Sequence, residues 1–289
     1  MPSNLLSIID QALPSLSKGH RVIANYILEH YDKAAFMTAA RLGQTVGLSE
    51  STVVRFATEV GFDGYPGLQK ALQEMIRHQL TAVQRMEVTN DRLGNADVLQ
   101  KVIQTDLDAM KRTLEIIDRD TFENAVRAII GARKIYIIGV RSAAALAQFL
   151  NFYFTHIFGD VLNIDTASTS VIFEQLLRVG PGDVFIGLTF SRYSSRTYKA
   201  ATFAKQNGAT VIAITDSKQA PICRVADHIM AAKSDMASFV DSLVAPMSLV
   251  NALIVAVGLE KKEEISEIYA RLEAIWDEYD VYQKGDMHE

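Results

Sequence analysis

From Thr121 onward the sequence alternates between two periodicities, and that alternation leaves few folds open. Lys134–Ile138, Val161–Ile164, Val184–Leu188, Thr210–Ile214 and His228–Ala231 are short, β-branched and apolar on both faces. Thr121–Ile130, Ser142–Ile157, Ser170–Leu177, Ser195–Gln206 and Ser242–Val257 read as helices around them, with a short helix at Pro221–Val225. A strand apolar on both faces needs cover on both, and parallel neighbours need crossover connections. The pattern therefore predicts an α/β doubly wound domain, a flavodoxin-like sandwich around a five-stranded parallel sheet. A last helix, Glu263–Tyr282, puts Ile265, Ile268, Leu272, Ile275 and Tyr279 on one stripe, for packing within the chain or along a dimer seam.

The first 80 residues read differently. Leu5–Leu13, His20–Tyr31, Thr38–Val46, Glu50–Val60 and Gly67–Leu80 carry apolar residues at three- and four-residue spacing, and Ser3 and Ser17 are expected N-caps. This predicts an all-α domain over residues 1–80. Residues 81–118 are expected to be a helical connector, broken at Asn90–Asn95, with Val98–Ile117 packing on one side. The sheet domain then occupies residues 119–289.

Of 289 residues, 49% are apolar and 22% charged, which excludes wholesale disorder. The single cysteine, Cys223, excludes an intramolecular disulfide, and the start of the chain has no secretory pattern. Leu243–Leu259 is the most apolar stretch, but Pro246, Ser248 and Asn251 interrupt it, so a buried helix is expected rather than a membrane span. A cytoplasmic location follows as the expectation.

Within the first domain, Thr38–Gly61 reads TAARLGQTVGLSESTVVRFATEVG. Ala39, Ala40, Leu42 and Val46 mark one helix, and Gly47 supplies a turn where positive φ is cheap. Ser49 is placed to cap the next helix, with Glu50 in its first turn. On that helix Val53, Phe56, Ala57 and Val60 share a face, while Ser51, Arg55 and Thr58 lie opposite, flanked by Thr52 and Glu59. An apolar face for docking and a small polar face carrying one cation suit a recognition helix in a major groove. An ordinary helical hairpin of a bundle has the same periodicity.

Ser49-Glu50-Ser51-Thr52-Val53-Val54-Arg55-Phe56, then Gly61-Phe62-Asp63-Gly64-Tyr65-Pro66 and Leu68, resemble the N-terminal domain of MurR/RpiR transcriptional regulators. The resemblance spans about 80 residues and implies binding to double-stranded operator DNA. It also implies that Arg55 touches phosphate or a base edge, with Ser51 and Thr52 at the groove.

Two strand ends of the sheet domain are chemically unusual. Lys134–Ile138 runs into Gly139-Val140-Arg141-Ser142-Ala143 and then a helix. Val184–Leu188 runs into Thr189-Phe190-Ser191-Arg192-Tyr193-Ser194-Ser195-Arg196, again before a helix. Ligands of doubly wound sheets bind beyond the strands' carboxyl ends, and helix N-termini attract anions. Gly139, Arg141, Ser142, Thr189, Ser191, Arg192, Ser194 and Ser195 are therefore the candidate ligand-binding residues.

Residues Thr121–Val257 resemble the SIS (sugar isomerase) domain. Its phosphosugar loop, Ser-x-Ser-Gly-x-Thr/Ser, maps onto Thr189, Ser191, Arg192 and Ser194. Gly208-Ala209, Ile214-Thr215-Asp216, Ala226-Asp227 and Phe239-Val240-Asp241-Ser242-Leu243 fit as well. Two departures stand out. Arg141 replaces the second glycine of the first loop, whose final serine falls on Ala143 unless Ser142 serves, and Arg192 replaces the glycine of the second loop. Guanidinium forks can substitute for lost amide contacts to an anion. Alternatively, both arginines pair with Asp or Glu and partly fill the pocket.

An isomerase needs a positioned base. Glu174, His156 and His228 are the candidates, and each has a plainer reading as a solvated, packed or hydrogen-bonded structural residue. No metal spacing occurs, no cofactor is implied, and Cys223 reads as a buried thiol. The expectation is thus a regulator, with no catalytic residues, whose SIS domain senses a sugar phosphate or related acidic metabolite and modulates operator binding. A phosphosugar isomerase or lyase is the alternative, and a structural DNA-binding protein a weaker third. One recognition helix reads few base pairs, so a homodimer or homotetramer is expected. The net charge of −5 lies wholly in residues 81–289, with 22 Lys/Arg against 27 Asp/Glu, while residues 1–80 hold seven of each. Weak non-specific DNA binding follows.

Overall fold

The structure, a computed structural model, describes residues 3–76, 85, 97–235 and 240–282. The expected break at Asn90–Asn95, the end of the helix expected to reach Leu80, and Phe239 lie outside the described residues. The chain divides into two compact units, residues 1–96 and 97–289.

The first unit is helical among the described residues: α1 (Ser3–Ala12), α2 (Lys18–Glu29), α3 (Tyr31–Ala34), α4 (Ala39–Val46), α5 (Glu50–Glu59) and α6 (Gly64–Ile76). Ile9, Ile23, Leu42, Phe56, Leu68 and Leu72 are fully buried and form its interior. The one-turn α3 was not expected, because four residues carry no periodicity of their own. Helix α6 begins at Gly64 rather than Gly67, since Tyr65 turns inward. Its hydroxyl donates to the Met37 carbonyl at 2.8 Å, and burial pushes its pKa well above the usual phenol range. Gln69 and Gln73 donate to the Met37 and Ala35 carbonyls, closing the chain ends that α3 leaves open.

The second unit runs α7 (Val98–Ile116), α8 (Arg119–Ile130), β1 (Ile135–Gly139), α9 (Ala143–Ile157), β2 (Val161–Asn163), α10 (Thr169–Gln175), β3 (Val184–Leu188) and α11 (Ser195–Gln206). β4 (Thr210–Thr215), a 3-10 turn (Pro221–Arg224), β5 (His228–Ala231), α12 (Val244–Glu260) and α13 (Lys262–Glu278) follow. All strand pairs are parallel, in the order β2-β1-β3-β4-β5. Helices α8, α9 and α12 cover one face, and α10, α11 and the 3-10 turn cover the other. Every residue of β1 and β3 is buried, as double cover requires. At their amino ends, Arg133 grips the buried Asp183 carboxylate through Nε and Nη2, each at 2.9 Å, which ties the two strands together.

Helix α7 belongs to this unit by its contacts. Thr113 Oγ1 accepts from the Lys233 amide at 2.8 Å, Ser242 Oγ donates to Asp106, and Arg112 pairs with Asp235. Helix α12 buries Leu249, Val250, Leu253 and Val257, so the most apolar stretch is a core helix. No single helix among the described residues is long and apolar enough to cross a membrane. The α13 stripe packs within the chain in part, with Ile265, Ile268 and Leu272 half-buried and Ile275 and Tyr279 exposed. None of its residues is buried, and Tyr279 is 71% exposed; Ile265 alone of the five reaches the core cluster.

Gly139 closes β1 directly under α9. A Cβ there would stand 2.4 Å from the Ala143 carbonyl oxygen. Gly139→Ala is expected to destabilise the protein by about 1–3 kcal/mol through forced displacement of α9. Chemical denaturation reads this, and an unchanged midpoint would mean that α9 yields freely.

Candidate functional site

Helices α4 and α5 meet at a tight turn. Gly47 holds φ 72°, and α4 is capped by Thr38, whose side chain accepts from the Arg41 amide. Gly43 allows the close approach, because a Cβ would lie 2.7 Å from the Leu48 carbonyl oxygen. Ser49 caps α5 by accepting from the Thr52 amide at 3.3 Å, and its hydroxyl also meets those of Ser51 (2.9 Å) and Thr52 (2.8 Å). Val53, Phe56 and Ala57 dock inward, while Ser51, Arg55 and Thr58 are exposed. Arg55 Nε is steadied by the Ser51 carbonyl at 3.2 Å, and Thr58 bonds back to Val54. Thr52 is half-buried, its methyl toward Gly19 of α2. Glu59 departs from the polar face to meet His20 Nδ1 at 2.5 Å, fastening the end of α5 to α2. The exposed face of α5 is thus small and hydroxylated, and bears one cation.

In the sheet, β1 and β3 are neighbours, with Gly139 opposite Leu188. The strand order reverses between them, and such a switch point opens a crevice beyond the carboxyl ends. Both loops described above end there. Arg141 and Arg192 have φ of 60° and 62°; Asp280 is the one other non-glycine at positive φ among the described residues. The loops keep the left-handed turn that glycine adopts without strain, and carry an arginine on it. Neither guanidinium has a hydrogen bond or ion pair among the described residues, so the expected alternative, pairing with Asp or Glu, is not what the structure has.

The two helix starts differ. Ser194 caps α11 by accepting from the Thr197 amide at 3.2 Å, and its own amide donates to the buried Thr189 hydroxyl at 3.1 Å. Ser142 sits in helical conformation, and its side chain does not cap α9. Ser142, Arg192, Ser195 and Arg196 are exposed and Ser191 is half-buried. Thr197 is fully buried, with its hydroxyl unpartnered. At the start of α9 the Ala144 and Ala145 amides donate instead to the Arg141 and Ser142 carbonyls.

The acid–base candidates lie elsewhere. His156 is about 20 Å along α9 from its start, edge-to-face with Phe152 and 3.3 Å from the Tyr269 hydroxyl. His228 opens β5 at the sheet's opposite edge, and Glu174 is exposed on α10. Beside His228, burial pushes the Asp227 carboxyl up, but bonds from Lys205 and the Val211 amide outweigh it and leave the carboxyl below its usual range. No cluster of His, Cys, Asp and Glu suits a metal among the described residues. Burial, and secondarily the Asp216 charge, push the Cys223 thiol up to about 11.

Two outcomes follow. Arg141→Gly and Arg192→Gly are each expected to raise unfolding stability by up to about 1 kcal/mol, because glycine relieves the left-handed strain; denaturant midpoints test this. Cys223 is expected to alkylate slowly at pH 8 and faster towards pH 11, since the thiolate is scarce below its raised pKa. Fast alkylation at pH 8 would contradict the raised pKa of this half-buried thiol.

Residues 3–79 match the family described as a helix-turn-helix domain of the rpiR family, and residues 128–256 match the SIS domain. An uncharacterized HTH-type transcriptional regulator of Haemophilus influenzae is 28% identical over 233 residues, 78% of this chain and 79% of that protein. The sugar isomerase domain of an RpiR transcription factor from Sphaerobacter thermophilus is 25% identical with a TM-score of 0.57, covering 60% of this chain and 97% of that one. The Vibrio vulnificus NanR protein, solved in complex with ManNAc-6P, shares the fold at 22% identity and a TM-score of 0.57, covering 94% of this chain and 99% of that one. With an rpiR helix-turn-helix domain joined to a SIS domain, the chain belongs to the MurR/RpiR family of transcriptional regulators.

Proposed function

We propose that this regulator binds operator DNA through α4 and α5, and that a phosphorylated sugar or related acidic metabolite at the β1/β3 crevice changes its operator affinity. The unpaired Arg141 and Arg192, held in left-handed turns at adjacent strand ends, are the observation that carries the sensing half. That NanR, of the same fold, was solved with ManNAc-6P accords with this class of ligand. On the DNA side, Arg55 supplies the cation of the exposed α5 face, Ser51 and Thr58 supply hydroxyls, and Ser49 and Thr52 order the start of the helix. Two copies on paired half-sites would extend the few base pairs one helix reads.

The test uses the full chain. Operators are selected from random duplexes, and affinity is measured against salt for the natural sequence and Arg55→Ala. The variant is expected to bind at least tenfold more weakly. If Arg55 meets phosphate, the slope of log affinity against log salt also becomes shallower by about one. Affinity that Arg55→Ala leaves intact would overturn the DNA-binding role of α5, and selected duplexes that lack paired half-sites would overturn the reading by two copies.

A further inference from the structure

Helix α5 carries one apolar side chain on the face that its other exposed residues make polar. Val54 follows Ser51 by three positions and precedes Thr58 by four, with Arg55 beside it. At helical spacing the four lie within about 100° of arc, on one side of α5. All four are exposed, Val54 by 39%, while Val53, Phe56 and Ala57 are buried on the other side. The acidic residues of α5, Glu50 and Glu59, fall at the two edges of this face, and Glu59 is turned to His20. A lone exposed valine is ordinary on a protein surface. What distinguishes Val54 is its place among the three groups of the face that would meet DNA.

The polar groups around it are partly engaged by the helix itself. The Ser51 hydroxyl meets that of Ser49 at 2.9 Å, the Thr58 hydroxyl donates to the Val54 carbonyl at 3.3 Å, and Arg55 Nε donates to the Ser51 carbonyl. Val54 has no polar atom to engage, and a valine in a helix strongly prefers one χ1 rotamer. Its two methyl groups therefore point in a direction that binding does not have to fix. In a major groove the feature that matches them is the C5-methyl of thymine, the apolar group by which an A·T pair is told from the others.

We propose that Val54 is a specificity-determining residue of operator recognition, whose methyl groups pack against the C5-methyl of one thymine in each half-site. This rests on α5 being the helix that enters the major groove. Arg55 then supplies attachment to a phosphate or a base edge, and Val54 supplies discrimination at an A·T pair through a contact that involves no hydrogen bond.

The experiment uses the full chain and the operator selected from random duplexes. Each thymine is replaced in turn by deoxyuridine, which removes the C5-methyl and keeps every hydrogen-bonding group of the base. At one thymine in a half-site the replacement is expected to weaken binding about fourfold, the worth of one buried methyl group. Val54→Ala, which suits a helix better than valine does, is expected to bind thymine and deoxyuridine at that position equally. An operator without thymine in its half-sites, indifference to deoxyuridine at every position, or a methyl effect that survives Val54→Ala would overturn the role of Val54. If Arg55→Ala weakens binding in the same series, that failure belongs to Val54 alone and α5 remains the reading helix. If Arg55→Ala and deoxyuridine are both without effect, the reading by α5 falls as well.

Discussion

A parallel sheet whose two faces are both apolar has to send its crossover helices to opposite sides. In this sheet that requirement reverses the strand order between β1 and β3, so α9 and α11 leave neighbouring strands in opposite directions. The crevice is a consequence of that parting, and the loops spanning it must turn within a few residues. Gly139 shows how little room the turn has, since even a methyl group would enter the first carbonyl of α9. Left-handed φ at positions 141 and 192 is part of the same turning, imposed on residues that do not favour it.

The first unit solves a smaller version of this problem. Two helices must cross closely enough to share a core and still leave one face of the second open. Gly43 permits the approach and Gly47 the change of direction, while Ser49 closes the start of α5. The burial of Val53, Phe56 and Ala57 then decides which face stays in solvent. The His20–Glu59 contact fixes the far end of α5 against α2, so the exposed face is held at both ends.

Much of this is legible in the sequence because the signals are local. Val184–Leu188, Ser195–Gln206 and His228–Ala231 have the bounds that periodicity predicts, since β-branched runs and capping serines act over a few residues. Ser17 and Ser49 cap the helices expected of them. What escaped depends on distant partners. Helix α3 is set by the packing of α2 and α6, and the early start of α6 by Tyr65 reaching Met37. At the crevice, the sequence marks both arginines as departures from glycine. Their unpaired state depends on where every carboxylate in the unit falls, which spacing along the chain does not encode.

The geometry of the first loop assigns unequal freedom to two positions separated by a single residue. Position 139 favours glycine, because any larger side chain collides with the first carbonyl of α9 and has to displace that helix. Position 141 admits either glycine or a long side chain that leaves the turn for solvent, because the turn is dictated by its neighbours. Descendants of this chain can therefore gain or shed a charge at the crevice by one substitution, without inventing a new loop. The scaffold is inherited rigidly, and the chemical taste of the crevice drifts on top of it.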